Sequence, residues 1–468
     1  MDEFLRDIHT LIFKQWILLQ NNQDYQIQIN PQQENQILIL TQFSRSEVTF
    51  NDMNIIELNV INTFNDEVIF YLHFQMKTMK HAIELFEEMM ESIKQLISKP
   101  ITKILLCCSG GLTTSFFAEK MNEAAKLLYF HYEASAIGYS ELFHVGSEYD
   151  IILLAPQISY IQPKVQEILK EQVVIKIPPQ VFAKYDVGKM IAIIKETMEN
   201  YKHPIPKNSQ HTMTLHTSLQ CIAPVLCLAI IRNSNRVHII YRIYNNHNRI
   251  ELDKEIIKNT ISIQDFYDII DTVLLQYPHI DIISISIPGI IHNHSITSSN
   301  INGLGHIDVQ RLFHQRYKQK IIWSNDVNTA IVGYYASQKE YSSLTLLFQP
   351  ISFFAGAGTI INGQLMTGRS NIAGEVQYLP MNLSDDYLVL NKTPEGALEL
   401  VSKIILCIMA MIDPDAIVLF CSLIPDVAEL KKELEKYIST EHIPDIIKID
   451  DLHEYTLLGQ MILCAQEQ

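Results

Sequence analysis

The 468-residue sequence contains only seven cysteines, at positions 107, 108, 221, 227, 407, 421 and 464. An odd number with this spacing matches neither a disulfide framework nor the C-x-x-C pairs of a zinc site. Basic residues are also scarce, 36 Lys and Arg against 52 Asp and Glu, which gives a formal net charge of −16. Nucleic-acid binding requires clustered basic residues, and the sequence has no such cluster. We therefore expect reduced thiols, no metal and no nucleic-acid partner.

The sequence also lacks an uninterrupted apolar run long enough to cross a bilayer. Its longest apolar stretch, KIILCIMAMIDPDAIVLFC, is broken by Asp413 and Pro414. The first residues, MDEFLRD, carry acidic groups where a secretory signal carries basic ones. These absences predict a cytoplasmic protein. The length predicts about three domains, and the 47% of apolar residues can fill several cores.

The pattern of apolar residues divides the sequence into three domains and a linker. Residues 1–98 combine two helical patterns with alternating strand-like runs, which predicts a small α+β domain of unknown role. Residues 101–200 alternate short buried strands with helices, as in a doubly wound parallel sheet. Residues 201–218 are polar, contain two prolines and predict a linker. Residues 219–468 contain two successive sheet-plus-helix halves, which predict a two-lobed α/β domain with a cleft between the lobes.

The most informative segment is CCSGGLTTS, residues 107–115, which directly follows the apolar run KILL. Cys107 continues the alternation of a buried strand, whereas Cys108 ends that strand, where open α/β sheets bind ligands. Gly110 and Gly111 permit close approach of the backbone, and hydroxyl residues then begin a helix. Backbone N–H groups and the helix dipole favour an anion and a thiolate there. The alternative is simple packing of two small, buried cysteines.

Two well-known phosphate loops do not fit this segment. A tyrosine-phosphatase-type loop needs an Arg six residues after the cysteine, and that position is Thr114. A Walker A loop ends in G-K-[ST], which is absent. Passing a phosphoryl group on therefore fits better than hydrolysis, and Cys108 is the candidate catalytic residue. The candidate phosphate-binding residues are Ser109, Gly110, Gly111, Leu112, Thr113, Thr114 and Ser115.

Residues 101–200 resemble the IIB component (EIIB) of the lactose/cellobiose class of bacterial sugar phosphotransferase systems (PTS). That family carries its phosphocysteine in the motif C-S-x-G-M-S-T-S, which here reads C-S-G-G-L-T-T-S from Cys108 onward. The family's LLGPQ corresponds to LLAPQ, which ends at Gln157. The resemblance implies a four-stranded parallel sheet and a IIA-type partner whose phosphohistidine donates to Cys108. For any part in transport, it also implies a separate membrane IIC component.

Residues 219–468 resemble the ROK family of sugar kinases and regulators, which have a two-lobed actin/hexokinase-like fold. The matching motifs, in the family's order, are SIPGII, SSNINGLGHID, WSNDVNTAIVGYY, FAGAGTIINGQLMTG and IAGEVQYLP. By resemblance, Asn300, Asn325, Asp326 and Glu375 contact a sugar, and Asp326 corresponds to the catalytic base. Two simpler interpretations stay open: Asp326 as a helix cap and Glu375 as a solvated loop carboxylate.

The nucleotide-binding motifs of the ROK family are degraded in this sequence. The family's D-x-G-G-T should fall in LAIIRNSNRV, which has neither Asp nor Gly. Its G-T-G-x-G-x-G survives only as SFFAGAG, where Phe353 and Phe354 occupy positions that need small residues. FCS replaces a later G-G, Tyr378 replaces the His of A-G-E-x-x-H, and the zinc knot is missing. These departures predict a ROK-like domain that binds a sugar without phosphorylating it and uses no cofactor.

The sequence thus predicts a multidomain α/β protein of a sugar PTS, either phosphoryl-carrying or regulatory, with a sugar or sugar phosphate as ligand. A sugar-sensing protein with an inert cysteine loop is the alternative. An active ROK sugar kinase is a further one, which the missing phosphate loops disfavour. ROK-like proteins commonly pair through the C-terminal lobe, and the run YTLLGQMILCA carries little charge to keep it in water. We therefore also predict a homodimer.

Overall fold

The structure, a computed structural model, describes most of the chain and forms two compact units. The described residues are 3–20, 25–41, 44–63, 67–98, 102–110, 112–128, 132–170, 172–200, 223–232, 236–292, 295–297 and 308–466. Unit 1 is built from the segments Met1–Pro100, Ser218–Thr329 and Thr456–Gln468, and unit 2 from Ile101–Thr217 and Ala330–Tyr455. The predicted linker, 201–218, lies outside the described residues.

Helices occur along the whole described chain. The α-helices are α1 (Glu3–Leu18), α2 (Met79–Ser98), α3 (Leu112–Leu128), α4 (Leu142–Val145), α5 (Gln162–Ile168), α6 (Pro179–Lys184), α7 (Val187–Asn200), α8 (Ile263–Gln276), α9 (Val309–His314), α10 (Asp326–Ser337), α11 (Tyr387–Leu390), α12 (Pro394–Met411), α13 (Val427–Leu434) and α14 (His453–Gln466). Among the described residues, none of these helices is both long and apolar enough to span a membrane.

Five strands precede α2 as a group, and after residue 100 strands and helices are interspersed. The strands are β1 (Gln26–Asn30), β2 (Gln33–Leu40), β3 (Ser44–Asn51), β4 (Ile55–Asn62), β5 (Val68–Gln75), β6 (Thr102–Cys108), β7 (Tyr132–Gly138), β8 (Ile151–Leu154), β9 (Val173–Lys176), β10 (Val225–Arg232), β11 (Val237–Tyr244), β12 (Ile250–Lys258), β13 (Ile282–Ile287), β14 (Ile290–His292), β15 (Ser295–Thr297), β16 (Lys320–Asn325), β17 (Leu344–Gln349), β18 (Gly356–Ile361), β19 (Gln364–Leu365), β20 (Ala416–Cys421) and β21 (Asp445–Lys448).

Unit 1 contains a ten-stranded sheet of order β1-β2-β3-β4-β5-β12-β11-β10-β13-β16. Strands β1 to β5 form an antiparallel meander, and β5 pairs antiparallel with β12, where Tyr71 lies opposite Ile257. Strand β10 is antiparallel to β11, whereas β10, β13 and β16 are parallel. Strands β1 to β5 therefore extend the sheet that is formed by the strands after residue 218. The predicted sequence domains do not coincide with the compact units, and their boundaries stay predictions.

Charged side chains of α2 and of Lys77, two residues before it, contact α8 inside unit 1. Lys77 Nζ lies 2.5 Å from Asp271 Oδ2, and His81 Nε2 lies 2.9 Å from Asp268 Oδ2. Both helices also pack on one hydrophobic core that includes side chains of β5, β11 and β13. Removing apolar area from water is the main favourable contribution to such packing. The N-terminal segment and the segment after residue 218 thus share a single core.

The C-terminal helix α14 is mostly buried. Its buried residues include Leu457, Leu458, Met461 and Ile462, and the amide of Gln460 donates to the backbone oxygens of β10 and β13 in unit 1, at 2.7 and 3.0 Å. In the sequence, the low charge of this run is a reason to expect a homodimer. Because the apolar side chains are covered by the chain itself, that reason does not hold.

Unit 2 contains two sheets. The four-stranded sheet has the order β7-β6-β8-β9 and is parallel throughout, and the five-stranded sheet has the order β19-β18-β17-β20-β21. The predicted α/β fold class, with a parallel four-stranded sheet in residues 101–200, is confirmed. The alternation along β6 places successive side chains in two different cores, because neighbouring residues of a strand point to opposite faces. Cys107 belongs to the core that includes α12, and Cys108 to the core that includes α3.

Candidate functional site

Cys108 is the last residue of β6, at the carboxyl edge of the parallel sheet. Its side chain is 3% exposed, whereas Ser109 and Gly110, which follow it, are exposed. Thr114 lies in the first turn of α3 and is fully buried, and its Oγ1 donates a hydrogen bond to Cys108 Sγ at 3.3 Å. A hydroxyl donor stabilises a sulfur that carries negative charge. The sulfur therefore lies beside both a hydroxyl donor and the positive end of a helix.

The other predicted phosphate-binding residues follow Cys108 in the loop and in the first turn of α3. Thr113 and Ser115 are exposed in the first turn of α3. Gly111 lies outside the described residues, and the side chain of Leu112 does too. The structure thus brings the sulfur together with one hydroxyl of the helix start, that of Thr114, and phosphate binding by the loop stays a prediction.

Cys107 occupies a different environment from Cys108. Its side chain is fully buried in the core that includes α12. Burial, and secondarily the neighbouring Cys108, raise the pKa of the Cys107 thiol to about 12. A thiol with such a pKa is protonated at neutral pH and is a poor nucleophile. Cys107 is a packing residue.

The turn after Cys108 lies against the end of the neighbouring strand. Gly138, the last residue of β7, is paired with Cys108 in the parallel register. A Cβ atom at Gly138 would lie 3.7 Å from the carbonyl carbon of Gly110 and 3.8 Å from the carbonyl oxygen of Ser109. On the other side of β6, the N–H of Ala155, from the LLAPQ segment, donates to the Cys107 carbonyl at 2.9 Å. Both neighbouring segments therefore support the cysteine loop.

Two of the predicted sugar-binding residues lie at the start of α10, in unit 1. The Asn325 side chain accepts from the N–H of Asn328 at 2.9 Å and donates to the carbonyl of Gly289 at 3.1 Å. Asn325 thus caps the helix and ties it to the SIPGII segment. Asp326 follows in the first turn and accepts from the N–H of Val327 at 2.9 Å. Asn300 lies outside the described residues.

Glu375 lies in unit 2, beside the A-G-A-G segment that begins at Ala355. It forms an isolated bridge with Gly356, and the preceding Gly374, with φ of +93°, accepts from the N–H of Ala357 at 2.8 Å. Burial raises the pKa of the Glu375 carboxyl, and a hydrogen bond from Gln377 partly opposes this shift. The structure therefore brings the A-G-E and A-G-A-G motifs together.

The loop Pro350–Phe354 is closed by hydrogen bonds from its neighbours. The amides of Gln349 and Asn391 both donate to the carbonyls of Pro350 and Phe353, at 2.7 to 3.1 Å. Tyr387 donates to Gln349 at 2.5 Å. Phe353 and Phe354 are 39% and 45% exposed, and these rings occupy the surface that small residues would leave open.

Sequence reasoning missed the residues that close this loop. Tyr387 and Asn391 belong to no motif. Only the tertiary structure brings them to the loop, Tyr387 from α11 and Asn391 from the residue after this helix. Among the described residues, no group of three or more His, Cys, Asp and Glu side chains is arranged to hold a metal ion.

Two family models match this chain, each over its own part. Residues 103–192 match the PTS system, lactose/cellobiose specific IIB subunit, and residues 240–397 match the ROK family. Both resemblances stated from the sequence are confirmed for these residues. The protein combines a IIB-type region of the lactose/cellobiose class with a ROK-type region.

Individual relatives match shorter stretches. The PTS oligo-beta-mannoside-specific EIIB component of Bacillus subtilis is 34% identical over 65 residues, 14% of this chain and 63% of that protein. The PTS lactose-specific EIICB component of Staphylococcus aureus is 36% identical over 58 residues, 12% of this chain and 10% of the relative. The chain thus spans about a tenth of the length of its lactose-specific relatives.

Solved structures of both kinds align with the chain. A ROK hexokinase from Thermus thermophilus aligns with a TM-score of 0.42 and 15% identity, and covers 52% of this chain and 98% of its own. The lactose-specific IIB domain of Streptococcus pneumoniae aligns with a TM-score of 0.19 and 25% identity, and covers 20% of this chain and 96% of its own.

Proposed function

We propose that this protein is a phosphoryl-carrying regulatory protein of a sugar PTS, in which Cys108 accepts a phosphoryl group from a IIA-type partner. The observation that carries the proposal is the hydrogen bond from Thr114 to the Cys108 sulfur, at the start of α3. The Cys108 thiolate attacks phosphorus, and an S–P bond forms as the N–P bond of the partner's phosphohistidine breaks. The departing imidazole nitrogen keeps the electron pair of the broken bond. Backbone N–H groups at the helix start stabilise the transferred group.

Phosphorylation can be tested directly on the full chain. The protein is incubated with phosphoenolpyruvate, the general phosphocarriers and a IIA protein, and its mass is measured at neutral pH. We expect the Cys107→Ser variant to be phosphorylated and the Cys108→Ser variant to lose the S-linked phosphoryl group. Loss of phosphorylation in the Cys107→Ser variant alone would contradict the assignment. An unmodified wild-type protein would favour the second candidate, a sugar sensor with an inert cysteine loop.

For the ROK-type region, we propose sugar binding without phosphorylation. Phosphoryl transfer depends on positioning and charge stabilisation of the transferred group, so lost phosphate loops remove most of the rate. The closed loop Pro350–Phe354 supports this proposal. The N–H of Ala355, which follows the loop, donates to Tyr387 Oη at 3.0 Å and is therefore engaged within the protein. Sugar contact depends on other residues, for which we propose Asn300, Asn325, Asp326 and Glu375.

Two assays on the same ligands separate binding from catalysis. Calorimetry with mono- and disaccharides and their phosphates is expected to show millimolar to micromolar binding, about −4 to −8 kcal/mol. A coupled ATPase assay is expected to show no sugar-dependent turnover. ATP consumption that needs sugar and disappears in the Asp326→Asn variant would instead establish the third candidate, an active ROK kinase.

The remaining parts of the proposal concern partners and location. We propose a cytoplasmic protein that works with a IIA donor and, where transport is involved, a membrane IIC component. A homodimer also stays a proposal, which rests on the pairing common among ROK-like proteins and not on the apolar run of α14. Light scattering at micromolar protein is expected to give twice the chain mass, and a monomer mass would refute it.

A further inference from the structure

The segment Tyr139–Glu148, which we call the bridge segment, begins directly beside the cysteine loop. It consists of a short 3-10 turn, the four-residue helix α4 and a second 3-10 turn. It follows Gly138, whose backbone lies against Ser109 and Gly110. No residue separates Gly138 from Tyr139, so a shift of the turn after Cys108 acts immediately on the start of the bridge segment.

The start of the bridge segment is bonded to the beginning of α12. The Tyr139 hydroxyl donates to both carboxylate oxygens of Glu395, at 2.9 and 3.2 Å. Burial and the Glu395 charge raise the pKa of Tyr139, so that its hydroxyl stays protonated and remains a donor. Two residues later, Glu141 lies 3.6 Å from the ammonium group of Lys392. Glu395 is in the first turn of α12, so the bridge segment joins the cysteine loop to this turn.

The middle of the bridge segment is bonded to the loop Pro350–Phe354. His144 Nδ1 lies 2.6 Å from Ser352 Oγ, and Ser352 has a φ of +66° in the left-handed region. Leu142 and Phe143, which directly precede His144 in α4, are buried in the core that includes α12. The bridge segment is therefore held by packing as well as by polar contacts, and close-packed side chains transmit strain.

A phosphoryl group on Cys108 would disturb the start of this connection. The Cys108 side chain is 3% exposed and packs in a core with Phe117. A phosphoryl group adds three acceptor oxygens and about −1.5 to −2 charges at neutral pH. Close-packed interiors do not yield such space, so room has to come from the exposed turn at Ser109 and Gly110. That turn is the part of the loop which lies against Gly138.

We propose that the bridge segment couples phosphorylation of Cys108 to the loop Pro350–Phe354 and to the first turn of α12. The proposal rests on the proposed phosphorylation of Cys108 and adds what that modification regulates. Coupling of this kind is a free energy shared between two sites, so each site also alters the other. The phosphorylation state of the IIB-type region is thereby read by the ROK-type part of the same unit.

Hydrogen exchange measured by mass spectrometry on the full chain tests this coupling. Peptides that cover residues 349–355 and 392–400 are compared between unmodified and phosphorylated protein, with the phosphorylated fraction taken from the intact mass. We expect exchange rates in both peptides to change by about five-fold or more. In the Tyr139→Phe and His144→Ala variants we expect phosphorylation to persist and the change to be lost. The matched control is Tyr437→Phe, since Tyr437 is 57% exposed on another part of the unit.

A second arm separates the coupling from the phosphoryl donor. Iodoacetate places a carboxylate on the Cys108 sulfur without any partner protein, and the Cys108→Ser variant treated in parallel reports on other thiols. An exchange change on carboxymethylation, with no phosphorylation by IIA, would support the coupling and refute the proposed donor. Modified protein with unchanged exchange in both peptides would overturn the coupling, whichever modification was achieved.

Discussion

The hydrogen bond between Thr114 and Cys108 allows a quantitative test of the cysteine site. In Thr114→Val the donor hydroxyl is removed, while a side chain of similar size and shape fills the same buried position. A hydrogen bond to a charged group contributes about 1.5–3 kcal/mol, and the Thr114 hydroxyl lies 3.3 Å from the sulfur. If the attacking species is the Cys108 thiolate, loss of this hydrogen bond slows phosphorylation by about 10- to 100-fold, because each factor of ten corresponds to about 1.4 kcal/mol.

The rate is measured by rapid quenching of the reaction with phosphorylated IIA, followed by intact-mass analysis. Thr114→Ser keeps the donor and is expected to retain most of the rate. The control is Thr197→Val in α7, where the lost hydroxyl donates to the Ile193 carbonyl of the same helix at 2.7 Å. A Thr114→Val protein that melts like the wild type and reacts within two-fold of its rate would refute the reasoning.

Three further predictions follow from burial and backbone geometry. Cys107 is expected to resist alkylation by iodoacetamide at pH 8 in the folded protein, because its pKa is raised to about 12. Alkylation is followed by mass spectrometry, and rapid modification of Cys107 would contradict this expectation. Gly374→Ala is expected to lower the free energy of unfolding by more than about 2 kcal/mol, because φ is +93° and a Cβ would lie 1.8 Å from a backbone carbonyl oxygen. Gly188→Ala in α7, with its nearest atom at 3.8 Å, is the control and should unfold at the same or a higher temperature. Burial raises the pKa of Glu375. The favourable contribution of this group to the free energy of unfolding is therefore present below the ordinary carboxyl pKa and is lost as pH rises through the raised value. Glu375→Gln should therefore lose less stability than the wild type between pH 4 and 7 in urea titrations, and equal losses would contradict the argument.

Local patterns were enough to predict the parallel sheet and the place of Cys108 within it. A strand that is buried on both faces shows a continuous apolar run, and its carboxyl end is where the run stops. The motif around Cys108 contains its own glycines, hydroxyl residues and helix start, so the contact between Thr114 and the sulfur is encoded within seven residues. The start of α10 is also encoded locally, in the motif that contains Asn325 and Asp326. The residue that caps this helix is Asn325, and Asp326 lies in its first turn.

Only the tertiary structure decided how distant segments combine. The meander of β1 to β5 joins the sheet of β10 to β13 through backbone hydrogen bonds. Because almost any residue can supply these bonds, no side-chain pattern in the sequence predicts the pairing. The contact from Tyr139 to Glu395 links residues 256 positions apart, and neither residue belongs to a motif. The apolar residues of α14 needed burial, but sequence could not say whether a partner or the chain itself would cover them. Hydrophobic burial has no direction of its own, and the path of the backbone selects which surfaces meet.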